Sequence, residues 1–130
     1  MSQSKPSGGA RPPATIFVVD DEQMLLDLAA AILQPLGYHV RTFSDPRAAL
    51  REFRAAKPAV IVTDYAMGEM NGLDLVRECK QINPNQKMVL LSGTVDEAIF
   101  TGLPLKPDRF LVKPYPVNEF IETIQALVEG

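Results

Sequence analysis

The chain has 130 residues, a net charge of −3 and 46% hydrophobic against 22% charged residues, the size and composition of one globular domain and not of a disordered segment. Its one cysteine, Cys79, excludes an internal disulfide framework and a cysteine-based zinc module, and no apolar run approaches the roughly 18 residues of a membrane span. From Thr15 onward 11 basic side chains stand against 16 acidic ones, a balance that disfavours direct nucleic-acid binding and suits a metal cation or a basic partner.

Residues 1–14 are rich in Ser, Gly and Pro, too poor in large apolar groups to repay ordering, and lack the apolar core of a signal peptide. They read as a flexible tail on a cytoplasmic domain spanning 15–130. Thr15-Ile16-Phe17-Val18-Val19 is a strand buried on both faces that stops at Asp20-Asp21-Glu22. Leu25, Leu28, Ala29, Ile32, Leu33 and Leu36 then form a helical stripe closing near Gly37, with Pro35 distorting its last turn. Tyr38 to Phe43 predicts a second strand. Ser44-Asp45-Pro46 supplies a cap and a first-turn proline for a helix with Leu50 and Phe53 inward.

Ala59 to Thr63 is a third strand, ending at Asp64. A turn-rich stretch from Tyr65 to Asn71 leads to a helix carrying Leu73, Val76 and a half-buried Cys79. Lys87 to Leu91 is a fourth strand ending at Ser92-Gly93, and Arg109 to Val112 a fifth ending at Lys113-Pro114. Between them, the capping box at Thr94–Glu97, Gly102, Pro104 and Pro107 leave room only for a short or irregular fourth helix. The last helix presents Val117, Phe120, Ile121, Ile124, Leu127 and Val128 on one face. Alternating buried strands and helices predict an α/β fold: an open, doubly wound, five-stranded parallel sheet with helices on both faces, flavodoxin-like in arrangement.

In such sheets ligands bind beyond the carboxyl ends of the strands. Strand one delivers Asp20 and Asp21 there, strand three Asp64, strand four Ser92 and strand five Lys113. Three carboxylates about 5 Å apart repel by roughly 3 kcal/mol per pair at an effective dielectric near 20, more than one lysine offsets. A hard divalent cation such as Mg²⁺ suits an all-oxygen set, and the lack of histidine or thiolate there disfavours zinc.

Four segments, Val18-Val19-Asp20-Asp21-Glu22, Val62-Thr63-Asp64-Tyr65 with Met70-Asn71-Gly72, Leu91-Ser92-Gly93 and Val112-Lys113-Pro114, resemble in order the signatures of bacterial response-regulator receiver domains. The likeness covers residues 15–130. It implies that Asp64 accepts a phosphoryl group from a sensor histidine kinase or phosphotransfer protein. It further implies that Asp21, Asp64 and the backbone carbonyl of Ala66 hold Mg²⁺, with Asp20 assisting directly or through water, and that Lys113 and Ser92 contact phosphoryl oxygens. Phe110 takes the place of the family's switch aromatic, so Ser92 and Phe110 would turn phosphorylation into altered binding of a downstream partner or output domain. The Lys113-Pro114 bond would be cis. Gly68 departs from the pattern, standing where proline is frequent.

Two other functions compete. A Mg²⁺-dependent phosphohydrolase working through an aspartyl-phosphate would carry a second acid where Ala66 stands, and a phosphorylation-independent interaction module would lack an acid or the lysine, all of which are present. His39 and Cys79 read as structural, Met67 and Met70 as packing residues, and Ile99, Phe100, Leu103 and Leu105 as core.

Overall fold

The computed structural model describes residues 13–68, 70–93 and 105–130. Five strands, β1 (Thr15–Val19), β2 (His39–Phe43), β3 (Val60–Asp64), β4 (Lys87–Ser92) and β5 (Arg109–Val112), form one parallel sheet in the order β2-β1-β3-β4-β5. Helices α1 (Gln23–Leu33), α2 (Pro46–Ala56), α3 (Gly72–Ile82) and α4 (Val117–Glu129) are the described α-helices. The strand order reverses between β1 and β3, so the chain leaves the sheet in opposite directions there and opens a crevice at their carboxyl ends.

Alternation along each strand sends side chains into two separate cores. Ile16, Val18, Val60 and Val62 pack with Leu26 and Leu33 of α1 and Phe120 and Ile124 of α4. Phe17, Val19 and Ile61 pack on the other face with Phe53 of α2 and Leu75 and Val76 of α3. Central strand β3 is buried at every residue, whereas edge strand β2 has only exposed and half-buried positions.

The elements follow the expected order, with differences of face. In α1 the buried residues are Leu26, Ala29 and Leu33, while Leu28 and Leu36 are exposed. Pro35 lies in a 3₁₀ turn, Gln34–Leu36, that Gly37 closes at φ +96°, a conformation that favours glycine. In α3, Leu75 is buried where Leu73 was expected to be, and Cys79 is fully buried, not half-buried. Val117 opens α4 in an exposed position. His39 is exposed on β2 and outside the core. Met67 is buried and Met70 packs partly against the same core, as read from sequence. The expected short fourth helix, with Ile99, Phe100 and Leu103, and the expected tail over residues 1–12 fall outside the described residues.

Candidate functional site

β1 and β3 deliver the acids to the crevice. Asp64 is the last residue of β3, and Asp20 and Asp21 follow β1 directly. One carboxylate oxygen from each of the three lies within 4.8 Å of the others. Asp20 and Asp64 are buried and Asp21 is exposed, so the cluster has a floor and an open side. Lys113, just past β5, places its Nζ 2.6 Å from Asp64 Oδ1 and 3.8 Å from Asp20 Oδ2. Ser92, the last residue of β4, is buried, and its carbonyl accepts the Lys113 N–H at 2.8 Å. All five polar residues expected at the strand ends therefore reach the same rim.

Backbone bonds fix this rim. The Tyr65 N–H donates to the Leu91 carbonyl and the Asp20 N–H to that of Phe43, carrying the sheet ladder one residue past the strands. The Glu22 N–H donates to Asp20 Oδ1 at 2.9 Å and holds that carboxylate inward. The Lys113-Pro114 peptide is cis. Gly68 has φ +61°, a backbone that proline cannot adopt, which accounts for the residue found there.

Electrostatics agree with the geometry. Burial raises the Asp20 pKa above its ordinary value, against the Glu22 hydrogen bond, and the charge of Asp64 adds to the rise. Burial works against the Lys113 ammonium, but the hydrogen bond and charge of Asp64, with the charge of Asp20, outweigh it and raise its pKa. One ammonium thus faces three carboxylates, each pair repelling by about 3 kcal/mol at this spacing. Hard oxygen donors, a local excess of negative charge and an open side fit an octahedral Mg²⁺ that retains several waters. The donor set fits the ion.

Asn71 and Gly72, noted in the sequence only as part of a signature segment, have definite structural roles. Gly72 is packed so tightly that an added Cβ would meet the Asp64 carbonyl oxygen, and its N–H donates to the Tyr65 carbonyl at 2.8 Å. Asn71 caps α3 reciprocally with Asp74, fixing the helix start against the Asp64 loop. The Asn-Gly pair before an apolar helical stripe was the available signal. Tyr115 stacks on Phe120 at 5.4 Å and stands beside Lys113, and burial raises its pKa. Next to Asp20 and Lys113 a cleft of about 450 Å³ opens between α1 and α4, floored by Val18 and Val62.

Known proteins share this arrangement. The response regulator receiver domain profile matches residues 16–125. The chain is 32% identical over 117 residues to the alkaline phosphatase synthesis transcriptional regulatory protein PhoP of Bacillus subtilis, covering 87% of this chain and 48% of PhoP. It is 27% identical over 111 residues to the chemotaxis protein CheY of Thermotoga maritima, covering 84% of this chain and 92% of CheY. The chain spans about half the length of several of the regulators it matches. Among solved structures, a response regulator receiver domain protein of Clostridium thermocellum superposes with a TM-score of 0.81 at 29% identity, covering 89% of this chain and 94% of that one. The response regulator TrrA of Thermotoga maritima, solved in complex with Mg²⁺ and BeF, superposes with a TM-score of 0.76 at 25% identity, covering 88% and 98%.

Proposed function

The chain belongs to the response regulator receiver domain family of two-component signalling, a signalling module and not a conventional enzyme, and from this we propose that Asp64 accepts a phosphoryl group from a histidine kinase or phosphotransfer protein in a Mg²⁺-dependent step. The observation that carries the reading is the convergence of Asp20, Asp21 and Asp64 within 4.8 Å, with Lys113 2.6 Å from Asp64.

An oxygen of Asp64 forms the new bond to phosphorus while the donor's phosphorus–nitrogen bond breaks and its electron pair stays on the imidazole. Lys113 already holds Asp64 Oδ1, which orients the carboxylate and leaves the second oxygen for attack. As the phosphoryl group arrives, the ammonium transfers to it and offsets charge on its oxygens. Mg²⁺, held by Asp20, Asp21, Asp64 and the Ala66 carbonyl, would supply charge neutralisation and align the oxygens. Ala66, two residues past the acceptor, offers no titratable side chain, which speaks against a dedicated hydrolase.

Ser92 and Phe110 carry the switch in this reading. The Ser92 hydroxyl contacts a phosphoryl oxygen in the phosphorylated form, which supplies the differential contact a two-state change needs. Phe110, half-buried on β5 and paired with Leu90, then repacks. A downstream protein or output domain reads the altered surface. The donor meets an apolar apron beside the acids, where Met24, Leu28 and Val117 are 79%, 54% and 52% exposed.

Incubation with phosphoramidate and Mg²⁺ should label wild-type protein on Asp64 and leave Asp64→Asn unlabelled, as read by intact mass and peptide mapping. Labelling of Asp64→Asn to the wild-type extent would place the acceptor elsewhere.

A further inference from the structure

From β2 through α2, which runs from the acid rim at Asp45 to the opposite pole at Lys57, the chain has a different character. Residues 41–57 carry Arg41, Arg47, Arg51, Arg54 and Lys57 against only Asp45 and Glu52, in a chain of net charge −3. Arg41 is occupied by Glu52 and by the Phe17 and Phe43 rings, and Arg47 pairs with Asp45. Arg51, Arg54 and Lys57 are exposed, and no ion pair joins any of them to another described residue. Arg51 and Arg54 are three residues apart on α2, so they share a face, and Lys57 caps the helix.

The cationic row runs into a groove. Between the carboxyl ends of α2 and α3 lies a cavity of about 420 Å³, lined by Phe53, Pro58, Ile82 and Gln86 with Arg54 and Lys57 on its rim. Ile82 is 36% exposed, large for an isoleucine beside a core. Pro58 and Gln86 stand just before β3 and β4, so the groove lies at the amino ends of the strands, away from Asp64.

We propose that this pole binds an acidic peptide segment of a partner protein, with one apolar side chain entering the groove and carboxylates meeting Arg51, Arg54 and Lys57. Charge complementarity selects the partner: three cations with no ion-pair partner among the described residues, on an acidic domain, attract a short acidic segment. The cavity is large enough for an aliphatic side chain, whose burial there removes apolar surface from water and adds to the charge contacts. A nucleic acid fits less well, because the groove offers no exposed aromatic face for stacking and the net charge repels a long polyanion. Because the two poles do not overlap, the segment binds whether or not Asp64 is phosphorylated.

The test is an NMR titration of the full chain with a short synthetic peptide of glutamates around one leucine. Two comparison probes are the same peptide with lysines in place of glutamates and a mixed-sequence single-stranded oligonucleotide. Amide shifts centred on Arg54, Lys57, Ile82 and Gln86, absent with the lysine peptide, support the proposal. So does affinity about five- to tenfold weaker in the Arg51→Gln/Arg54→Gln variant and several-fold weaker in Ile82→Ser, with spectra otherwise native. The double variant should accept phosphoryl groups at the wild-type rate. Shifts centred on another surface, equal binding of the lysine peptide, tighter binding of the oligonucleotide, or unchanged affinity in both variants would overturn it.

Discussion

At the start of α3 a methyl group on Gly72 would meet the Asp64 carbonyl oxygen and lie 2.7 Å from Leu90 Cδ1 and 3.0 Å from Tyr65 Cα. Two of those neighbours are backbone atoms at the end of β3 and cannot rotate away. Gly72→Ala should therefore cost about 1–3 kcal/mol in urea unfolding, and it should also slow phosphoryl acceptance because the Asp64 loop absorbs the displacement. A variant matching the wild type in both measurements would contradict the packing described. Cys79 shows the opposite use of burial: enclosure, with the nearby charge of Glu78, pushes its thiol pKa up to about 12 and leaves it inert. Sequence reading placed Cys79 on the right helix but only half inside, because one residue's depth depends on what the opposing strand supplies.

Among elements, α2 depends most visibly on its cap. Asp45 accepts the Arg47 N–H, and this bond, with the Arg47 and Arg51 charges, holds the Asp45 carboxyl below its ordinary value of 3.8. A carboxylate with a depressed folded pKa adds stability that is present above its unfolded pKa and fades as pH falls through the folded one. The urea midpoint of wild type relative to Asp45→Asn should accordingly be level at neutral pH and decline below about pH 4. A constant difference across that range would refute the assignment. At the other pole Asp108 accepts from Lys80 Nζ at 2.9 Å and from the Met88 N–H at 2.8 Å, tying α3 and β4 to the entry of β5. Since Lys80 is buried, Asp108→Ala should destabilise by about 2–3 kcal/mol in urea unfolding, with Lys80→Met/Asp108→Ala recovering part of the loss. Strands were legible because short runs rich in β-branched residues and bounded by turn residues favour strand over helix. The inward face of α1 was not, because Met24 to Leu33 is apolar nearly all round except for Asp27, so periodicity could not separate buried Leu26 from exposed Leu28. Lys80–Asp108, 28 residues apart, left no local trace.

For the whole molecule, topology makes the site. Placing β1 between β2 and β3 brings Asp20 and Asp21 to the crevice where Asp64 ends β3, and the parallel register β3–β4–β5 sets Ser92 and Lys113 beside them. Each site residue directly follows an apolar run, so the site was readable once the sheet was recognised as parallel. Gly72 and Asn71 were visible only as part of a signature segment, and their roles were not, because their contribution is to backbone position. The same sheet separates the proposed phosphoacceptor site from the cationic carboxyl end of α2, so under both proposals each meets its partner independently. The most direct trial of the central claim is a ¹H–¹⁵N NMR titration with beryllofluoride, with and without Mg²⁺. With the ion present, the amides of Asp21, Asp64, Tyr65, Ser92 and Lys113 should shift together, and without it they should stay in place. Equal shifts without Mg²⁺, or no response at these positions with it, would contradict the account.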